Sequence, residues 1–415
     1  MGYSDSEQII IDYAKNNFTK MLREPTGYRL NHKFIVPGSV YSQQLWDWDS
    51  WLTDIALCQL NDMEGITDQY EEYEKGCILN FLDLQDEFGR VPIMIHDGMR
   101  EFMGRPENQM FNMHKPCLAQ HAAFIVKNCG DAKWLEPVMG KLKKFVDYYI
   151  NHFKHESGIY FWYSDAAIGV DNDPCTFYRP NSSSGSIYLN CFMYKELLAT
   201  AYLCEKFGMT DDENHYNKEA DALKQAVRDK CWDERDGFYY SVDLNLRPID
   251  TSESLHSGCP RHWNTLIQRI DVWSGFLAMW AGIADNEQAK RMVKHYLRED
   301  TFYANYGVRT LGKSEKMYSI IKSGNPSCWL GPVWGISNYM VFKSFVRYGF
   351  TKEASDLANK TIKLFSNDIK TCGELHEYYH PDTGEGVNNP GFQNWNLLSL
   401  NMIAWLEGQN VVSEF

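Results

Sequence analysis

The chain has 415 residues, 44% hydrophobic and 14% aromatic, a composition that excludes intrinsic disorder because so much apolar surface offsets the entropy of ordering. Its 41 basic and 55 acidic side chains give a net charge of −14, which argues against nucleic acid and anionic membranes as partners. No apolar run approaches the roughly 18 residues that a membrane-spanning helix needs.

Apolar residues recur at helical spacing in twelve segments, and signals for strands are scarce. The pattern therefore predicts an all-α chain, and the lack of a linker-like tract predicts a single domain over residues 1–415. In chain order, the predicted helices are Ser6–Leu22, Ser50–Leu60, Thr67–Gln85, Lys115–Lys127, Lys133–His152, Ser186–Phe207, Asp212–Cys231, Thr265–Ile283, Glu287–Leu297, Val333–Tyr348, Lys352–Phe365 and Asn394–Glu407.

Short and long connections alternate between these helices. Loops of about 30 residues without structure of their own are uncommon unless they are functional. Twelve helices with long loops at alternate junctions predict a toroid of paired helices whose long loops gather at one end, and the absence of a fixed repeat period argues against a solenoid. The long connections are Asp86–His114, His155–Gly185, Trp232–Asn264, Arg298–Pro332 and Ser366–Gln393.

Eleven cysteines are scattered through the chain without a CxxC pair, so they predict neither a disulfide framework nor a zinc ribbon. Reduced thiols are typical of the cytosol, and the N-terminal residues lack the pattern of a secretory signal. We therefore expect a cytoplasmic protein. The sequence leaves the oligomeric state open, with a homo-oligomer as one option.

The long loops, together with residues 41–51, hold most of the tryptophans, and these alternate with Asp, Asn, Gln and Gly. Such mixtures make poor cores, but they suit carbohydrate pockets, where rings stack on sugar C–H faces and carboxylates bind hydroxyl groups. Glycoside hydrolysis needs two carboxyl groups. The candidates in these clusters are Asp47, Asp49, Asp171, Asp173, Glu374, Glu377 and Glu385.

The segment from His376 to His380 matches the HExxH zinc-protease motif letter for letter. That chemistry needs both histidines on one face of a helix, one turn apart. Pro381 follows directly and biases His380 away from helical backbone, and turn residues flank the segment on both sides. We therefore expect no zinc-protease site here.

Four ordered motifs resemble glycoside hydrolase family 63 and its clan relatives, the trehalases. In chain order, the motifs are Trp46-Asp-Trp-Asp-Ser-Trp51, Gly169-Val-Asp-Asn-Asp-Pro174, Trp329-Leu-Gly-Pro-Val-Trp334 and Glu377-Tyr-Tyr-His-Pro-Asp-Thr-Gly384. The similarity runs from about Tyr41 to Glu407. A chain of 415 residues has no room for the extra N-terminal β-sandwich of large members, so it is similar to the compact bacterial branch, which includes mannosylglycerate and glucosylglycerate hydrolases.

The resemblance implies an (α/α)6 toroid and an inverting cleavage of a small α-glucoside or α-mannoside, such as glucosylglycerate, mannosylglycerate or a disaccharide. Asp171 is the implied general acid and Glu377 the implied general base, and neither a metal nor a cofactor is expected. A charged aglycone would need basic partners, for which Arg100, Arg105, Lys115, Arg179 and Arg309 are candidates. The residues expected to hold the sugar are Trp46, Trp48, Asp49, Asn112, Gln120, Trp329, Gly331, Trp334 and Trp395.

Several alternatives remain open at this point. Asp49 is equally suited to cap the helix that starts at Ser50, and Trp48 and Trp334 are suited to core packing. Asp173 and Glu374 compete for the two catalytic roles. An epimerase or lyase on the same toroid would use histidines such as His96, His114 and His121, and a glycan-binding protein without activity is the non-enzymatic alternative.

Overall fold

A computed structural model of the chain describes residues 2–66, 70–99, 106, 108–246, 263–321 and 325–415. Within this part of the chain there are twelve α-helices, and each overlaps one of the twelve predicted segments. They are α1 (Asp5–Asn17), α2 (Asp47–Glu64), α3 (Glu71–Asp83), α4 (Leu118–Cys129), α5 (Met139–His152), α6 (Ile187–Lys206), α7 (Thr210–Cys231), α8 (Leu277–Trp280), α9 (Asn286–Tyr296), α10 (Gly335–Arg347), α11 (Thr351–Cys372) and α12 (Ser399–Leu406).

The helices form two concentric layers, as the alternating loop lengths predict. The even-numbered helices contact one another in sequence around a ring, and α12 packs back on α2. A hydrogen bond between His121 and Asp54 joins α4 to α2. The inner helix α6 buries 15 of its 20 residues, whereas the outer helix α7 buries five of 22. This inside-to-outside difference is that of an (α/α)6 toroid.

Several predicted helix bounds are wrong. Helix α1 ends at Asn17 and not at Leu22, α12 begins at Ser399 and not at Asn394, and three other segments also differ. In the segment Thr265–Ile283, Leu266–Ile267 pairs as a strand and the helix α8 has only four residues, preceded by a 3-10 turn at Trp273–Phe276. Pro137 confines residues 133–138 to a separate 3-10 helix before α5. Helix α11 continues to Cys372, where Gly373 ends it in the left-handed conformation, so the following loop is shorter than predicted.

Short antiparallel strands of two residues each order the loops between helices. They pair as β1 (Leu22–Arg23) with β2 (Phe34–Ile35), β3 (Leu45–Trp46) with β4 (Met94–Ile95), β5 (Ser184–Gly185) with β8 (Val242–Asp243) and β8 with β9 (Leu266–Ile267), β6 (Trp232–Asp233) with β7 (Phe238–Tyr239), β10 (Tyr303–Ala304) with β11 (Gly307–Val308), and β12 (Val333–Trp334) with β13 (Tyr378–Tyr379). Strands β3 and β12 lead directly into α2 and α10. Pairing of Trp334 with Tyr378 thereby fixes the start of α10 beside Glu377.

The buried apolar side chains of both helical layers form one large continuous cluster. No helix in the described ranges has the length and apolar character needed to cross a bilayer. All ten cysteines within those ranges are free thiols, while Cys259 lies outside the described residues. The assignment of residues 1–415 to a single domain stays a prediction.

Candidate active site

A cavity of about 400 Å³ opens where the loops that precede α2 and α10 meet the loops after α5 and α11. It brings together eight of the eleven residues that the sequence suggests for catalysis or sugar binding. Those eight are Trp46, Trp48, Asp49, Asp171, Trp329, Trp334, Glu377 and Trp395, and the remaining lining includes Tyr41, Ile93, Met94, Lys115, Ala167, Gly169, Asn325, Ser327 and Phe392.

Four of the five lining tryptophans form a continuous apolar wall of this cavity. Trp329 and Trp334 stack with their ring centroids 3.9 Å apart, and Trp48 lies 6.2 Å from Trp329 and 5.4 Å from Trp395. Trp48 and Trp334 are almost completely buried, so each packs in the core and lines the cavity at the same time. Rings held this rigidly present fixed faces for stacking against a sugar.

Asp171 reaches the cavity on the loop that follows α5. Gly169 has φ +82°, and a Cβ there would lie 2.8 Å from the Trp48 ring, so only glycine lets the loop pass this close. Asn172 accepts a 2.7 Å hydrogen bond from the Trp329 amide and joins the two loops. Burial raises the pKa of Asp171, and hydrogen bonds from Ser327 and Asn325 and the charge of Lys115 offset part of that rise.

Glu377 precedes β13 and faces the cavity with both carboxylate oxygens engaged. Oε2 accepts hydrogen bonds from Asn388 at 3.0 Å and Asn389 at 2.5 Å, and Oε1 accepts one from the Tyr41 hydroxyl at 3.4 Å. Burial raises the pKa of Glu377 to about 7 despite these donors, and the charge of Asp171 adds to the rise. Its donors are thus two asparagines and a tyrosine distant in sequence, and not the Tyr and His residues next to it in the chain.

Asp49 is the third carboxyl group of the cavity. Helix α2 begins at Asp47 with Trp46 as its N-cap, so the alternative in which Asp49 caps the helix is wrong. Its Oδ1 accepts a hydrogen bond from Asn394. Burial raises the pKa of Asp49 to about 8, although the nearby Lys115 opposes this, so the group is mostly protonated at neutral pH.

Three residues suggested for sugar binding lie behind the cavity and not along it. The Asn112 side chain donates to the Ser164 and Ala166 carbonyl oxygens and so fixes the loop that leads to Asp171. Gln120 is fully buried and donates to the Pro116 carbonyl oxygen. Gly331 has φ +142°, and a Cβ there would lie 2.5 Å from the Tyr318 ring, so it serves the backbone course.

The rival carboxyl groups do not line this cavity. Asp173 is buried and accepts hydrogen bonds from the Cys175 amide and the Thr176 hydroxyl, which places it in a turn. Glu374 is exposed. Seven carboxyl groups are candidates from the sequence, and the structure describes all seven. Three of them line the cavity, namely Asp49, Asp171 and Glu377.

The histidines also lie away from the described lining. His114 is buried against Phe81, and burial lowers its pKa to about 4. His121 is bonded to Asp54 in the core. The HExxH segment contains the strand β13, so its histidines do not share a helix face and the expected absence of a zincin arrangement is confirmed.

Sequence reasoning missed a buried ion pair beneath the tryptophan wall. Lys115 Nζ donates to Asp47 Oδ1 at 2.7 Å, with both side chains fully buried, and lies 4.8 Å from the Trp48 ring centroid. Two other basic residues suggested as partners for a charged aglycone are described by the structure, and both form ion pairs: Arg179 with Asp243 and Arg309 with Asp382. Arg100 and Arg105 lie outside the described residues.

Residues 41–395 match the family model described as the mannosylglycerate hydrolase MGH1-like glycoside hydrolase domain. The chain belongs to this family. Its resemblance to glycoside hydrolase family 63 and the compact bacterial branch is therefore confirmed.

Individual relatives match at lower coverage. The chain is 24% identical over 247 residues to the cytosolic neutral trehalase of Kluyveromyces lactis, across 56% of this chain and 30% of that one. It is 26% identical over 245 residues to the mannosylglycerate hydrolase of Rubrobacter radiotolerans, across 56% and 48% of the two chains. The alignments thus span less than half the length of these curated relatives.

The structure is similar to the crystal structure of the family 63 mannosylglycerate hydrolase of Thermus thermophilus in complex with glucose. The TM-score is 0.68 at 18% identity, covering 96% of this chain and 99% of that one. This similarity confirms the predicted (α/α)6 toroid.

Proposed function

We propose that the chain is an inverting glycoside hydrolase that cleaves the α-glycosidic bond of a small α-glucoside or α-mannoside. One observation carries the proposal: Asp171 and Glu377 line the same tryptophan-walled cavity, and burial raises the pKa of both. An inverting enzyme needs one carboxylic acid that protonates the leaving oxygen and one carboxylate that activates a water on the opposite face of the sugar.

Asp171 is the proposed general acid. Burial raises its pKa above that of a free aspartate. In the protonated form it would deliver its proton to the glycosidic oxygen as the bond to the anomeric carbon breaks. Glu377 is the proposed general base. Its ionised carboxylate, held by Asn388, Asn389 and Tyr41, would take a proton from the water that attacks the anomeric carbon.

The rest of the lining is proposed to hold the sugar ring. The tryptophan wall would contact the C–H groups of the sugar, with Trp334 reaching it by a ring edge because Trp329 and Tyr378 stack against its ring. A protonated Asp49 would both donate hydrogen bonds to and accept them from the sugar hydroxyl groups. The trehalase and mannosylglycerate hydrolase relatives suggest trehalose and mannosylglycerate as test substrates, to which glucosylglycerate and glucobioses are added. Release of free sugar from any of them distinguishes a hydrolase from a binding protein or an isomerase.

The assignment of roles is tested by leaving-group dependence. Asp171→Ala should lose about 10²–10⁴-fold on natural glycosides, but retain most activity on glycosyl fluorides, whose departure needs little protonation. Glu377→Ala should lose both activities because water activation is still required. Added azide should partly restore turnover of Glu377→Ala on an α-glycosyl fluoride and give a β-azide.

Glu374→Ala provides the matched control, since Glu374 is an exposed carboxylate three residues from the proposed base. It should leave both activities within about twofold of the wild type, as expected of surface substitutions. A loss below about tenfold on natural glycosides in Asp171→Ala or Glu377→Ala would contradict the assignment, and so would equal dependence of the two variants on the leaving group.

A further inference from the structure

Three metal-ligating side chains meet outside the cavity, on the far side of the segment that carries Glu377. Asp368, Cys372 and His376 each offer one ligand atom, and these atoms lie within 4.8 Å of one another. Asp368 and Cys372 are four residues apart in the last turn of α11, so they share one face of that helix. Gly373 ends the helix at φ +75° and turns the chain so that His376 returns over this face.

The separation between His376 Nδ1 and the Asp368 carboxylate is close to that in a tetrahedral zinc site, and the Cys372 sulfur lies within 4.8 Å of both ligand atoms. His376 Nδ1 lies 3.1 Å from Asp368 Oδ1 and 2.9 Å from Oδ2. Bonds of 2.0–2.2 Å from zinc to nitrogen and oxygen place neighbouring ligand atoms about 3.3 Å apart in a tetrahedron. A cation between Nδ1 and the carboxylate therefore requires these atoms to separate by only a few tenths of an ångström.

The surroundings hold the carboxylate and leave access from solvent. Asp368 Oδ2 accepts hydrogen bonds from the Tyr379 hydroxyl at 2.9 Å and the His376 amide at 3.1 Å, contacts of the kind that orient metal ligands. A cavity of about 250 Å³ adjoins Asp368 and Cys372. Gly386 leaves room for the imidazole, because a Cβ there would lie 2.3 Å from the His376 ring.

This donor set differs from the HExxH pattern in the same segment. Glu377 faces the active-site cavity, and His380 Nδ1 accepts hydrogen bonds from the amides of Asp382 and Thr383. One thiolate, one imidazole and one carboxylate favour zinc and its thiophilic neighbours over calcium or magnesium, which prefer oxygen ligands.

We propose that Asp368, Cys372 and His376 form a binding site for a thiophilic divalent cation, with Zn²⁺ as the best match. On binding, the Cys372 thiol releases its proton to solvent, and His376 carries its single ring proton on Nε2 so that Nδ1 coordinates. The fourth position opens to the adjoining cavity. The site is independent of the proposed hydrolysis, which uses no metal.

The test is Co²⁺ binding to the chelator-treated full chain. One equivalent should produce a thiolate-to-cobalt charge-transfer band in the near ultraviolet, and Cys372→Ser should abolish the band and weaken Co²⁺ binding by at least about tenfold. Cys129→Ser is the matched control, because Cys129 is also exposed and also ends a helix directly before a left-handed glycine. It should keep both the band and the affinity.

A second measurement uses thermal unfolding. A slight excess of Zn²⁺ should raise the Tm of the wild type and of Cys129→Ser, but not that of Cys372→Ser, since only a ligand of the folded state stabilises it. A missing charge-transfer band, or an equal band in Cys372→Ser, would overturn the proposal. Loss of the band in Cys129→Ser with retention in Cys372→Ser would do the same.

Discussion

Glu377 has an environment in which burial and hydrogen bonding oppose each other. Burial raises its pKa to about 7, while three neutral donors favour the ionised form. As a base it must be ionised, so kcat/KM should fall as the pH drops below about 7. As an acid, Asp171 must be protonated, so kcat/KM should also fall as the pH rises through its raised pKa. A pH profile of kcat/KM that is flat between pH 5 and 8 would contradict this pairing.

Tyr41 contacts the proposed base from a loop 336 residues earlier in the chain. Its hydroxyl donates to Oε1 and favours the ionised carboxylate, so Tyr41→Phe should raise the pKa of Glu377 and move the acid limb of the kcat/KM profile to higher pH. Tyr73→Phe is the control, since Tyr73 donates to Glu24 away from the cavity. An unmoved acid limb in Tyr41→Phe would show that this hydrogen bond does not affect the base.

Among individual residues, the sequence motifs singled out Asp171, Glu377 and the tryptophans, and the structure places these residues along one cavity. The sequence did not identify Tyr41, Asn388 or Asn389, because no local pattern relates an amide or hydroxyl to a carboxylate that folding brings near. Gly331 belongs to one of these motifs but supports its loop, as Asn112 supports another, and residue type and spacing alone do not separate such roles from sugar binding.

The start of helix α2 depends on the buried Asp47–Lys115 pair. Lys115→Met would leave the Asp47 carboxylate buried without its counter-charge, which should lower the free energy of unfolding by about 3–5 kcal/mol. Urea unfolding at pH 7 measures this, and the double variant Asp47→Asn/Lys115→Met should recover part of the loss.

Lys290→Met provides the comparison for an exposed pair, because Lys290 bonds Glu287 at 2.6 Å on the surface of α9. The change should stay within about 1 kcal/mol. Similar losses in Lys115→Met and Lys290→Met would contradict the role given to the buried pair.

Helical periodicity located all twelve helices because most present one apolar face to a common core. It failed at the short helix α8. There, a Cβ on Gly275 would lie within 2.6 Å of the Phe238 ring and of the Tyr239 carbonyl oxygen. This close tertiary contact keeps the preceding segment out of a regular helix. The two-residue strands were missed for the same reason, since pairing such as Trp334 with Tyr378 depends on segments distant in sequence.

At the scale of the whole molecule, Glu414 near the C-terminus links two helices of the inner ring. It accepts hydrogen bonds from Trp280 of α8 at 2.7 Å and Tyr339 of α10 at 2.8 Å. Burial alone would raise the pKa of Glu414, but the charges of Lys343 and Lys195 outweigh it and hold the pKa below its usual value.

Glu414→Gln should therefore lower the free energy of unfolding at pH 7 by about 1–3 kcal/mol. Because the folded-state pKa is depressed, the stabilisation is complete above the unfolded glutamate pKa of about 4.3 and is lost as the pH falls through the folded value. Urea unfolding should show that the difference in unfolding free energy between the wild type and Glu414→Gln is smaller at low pH than at pH 7. The control is Glu287→Gln on the surface. If Glu414→Gln lowered the free energy of unfolding no more than Glu287→Gln does, the role given to Glu414 would be contradicted.

The alternation of short and long connections predicted the toroid and the gathering of its long loops at one end, because paired helices around a ring return the chain to the same face. The assembly of the cavity from loops spread between Tyr41 and Trp395 followed only from the folded structure. The four short family motifs predicted part of this assembly, because each lies in one of the loops that line the cavity.

The central claim is that Asp171 and Glu377 act on opposite faces of the anomeric carbon, with a water between the base and the sugar. Proton NMR of the sugar first released from an α-linked substrate tests this most directly, before mutarotation mixes the anomers. The account predicts that the β-anomer appears first. Initial release of the α-anomer would contradict it.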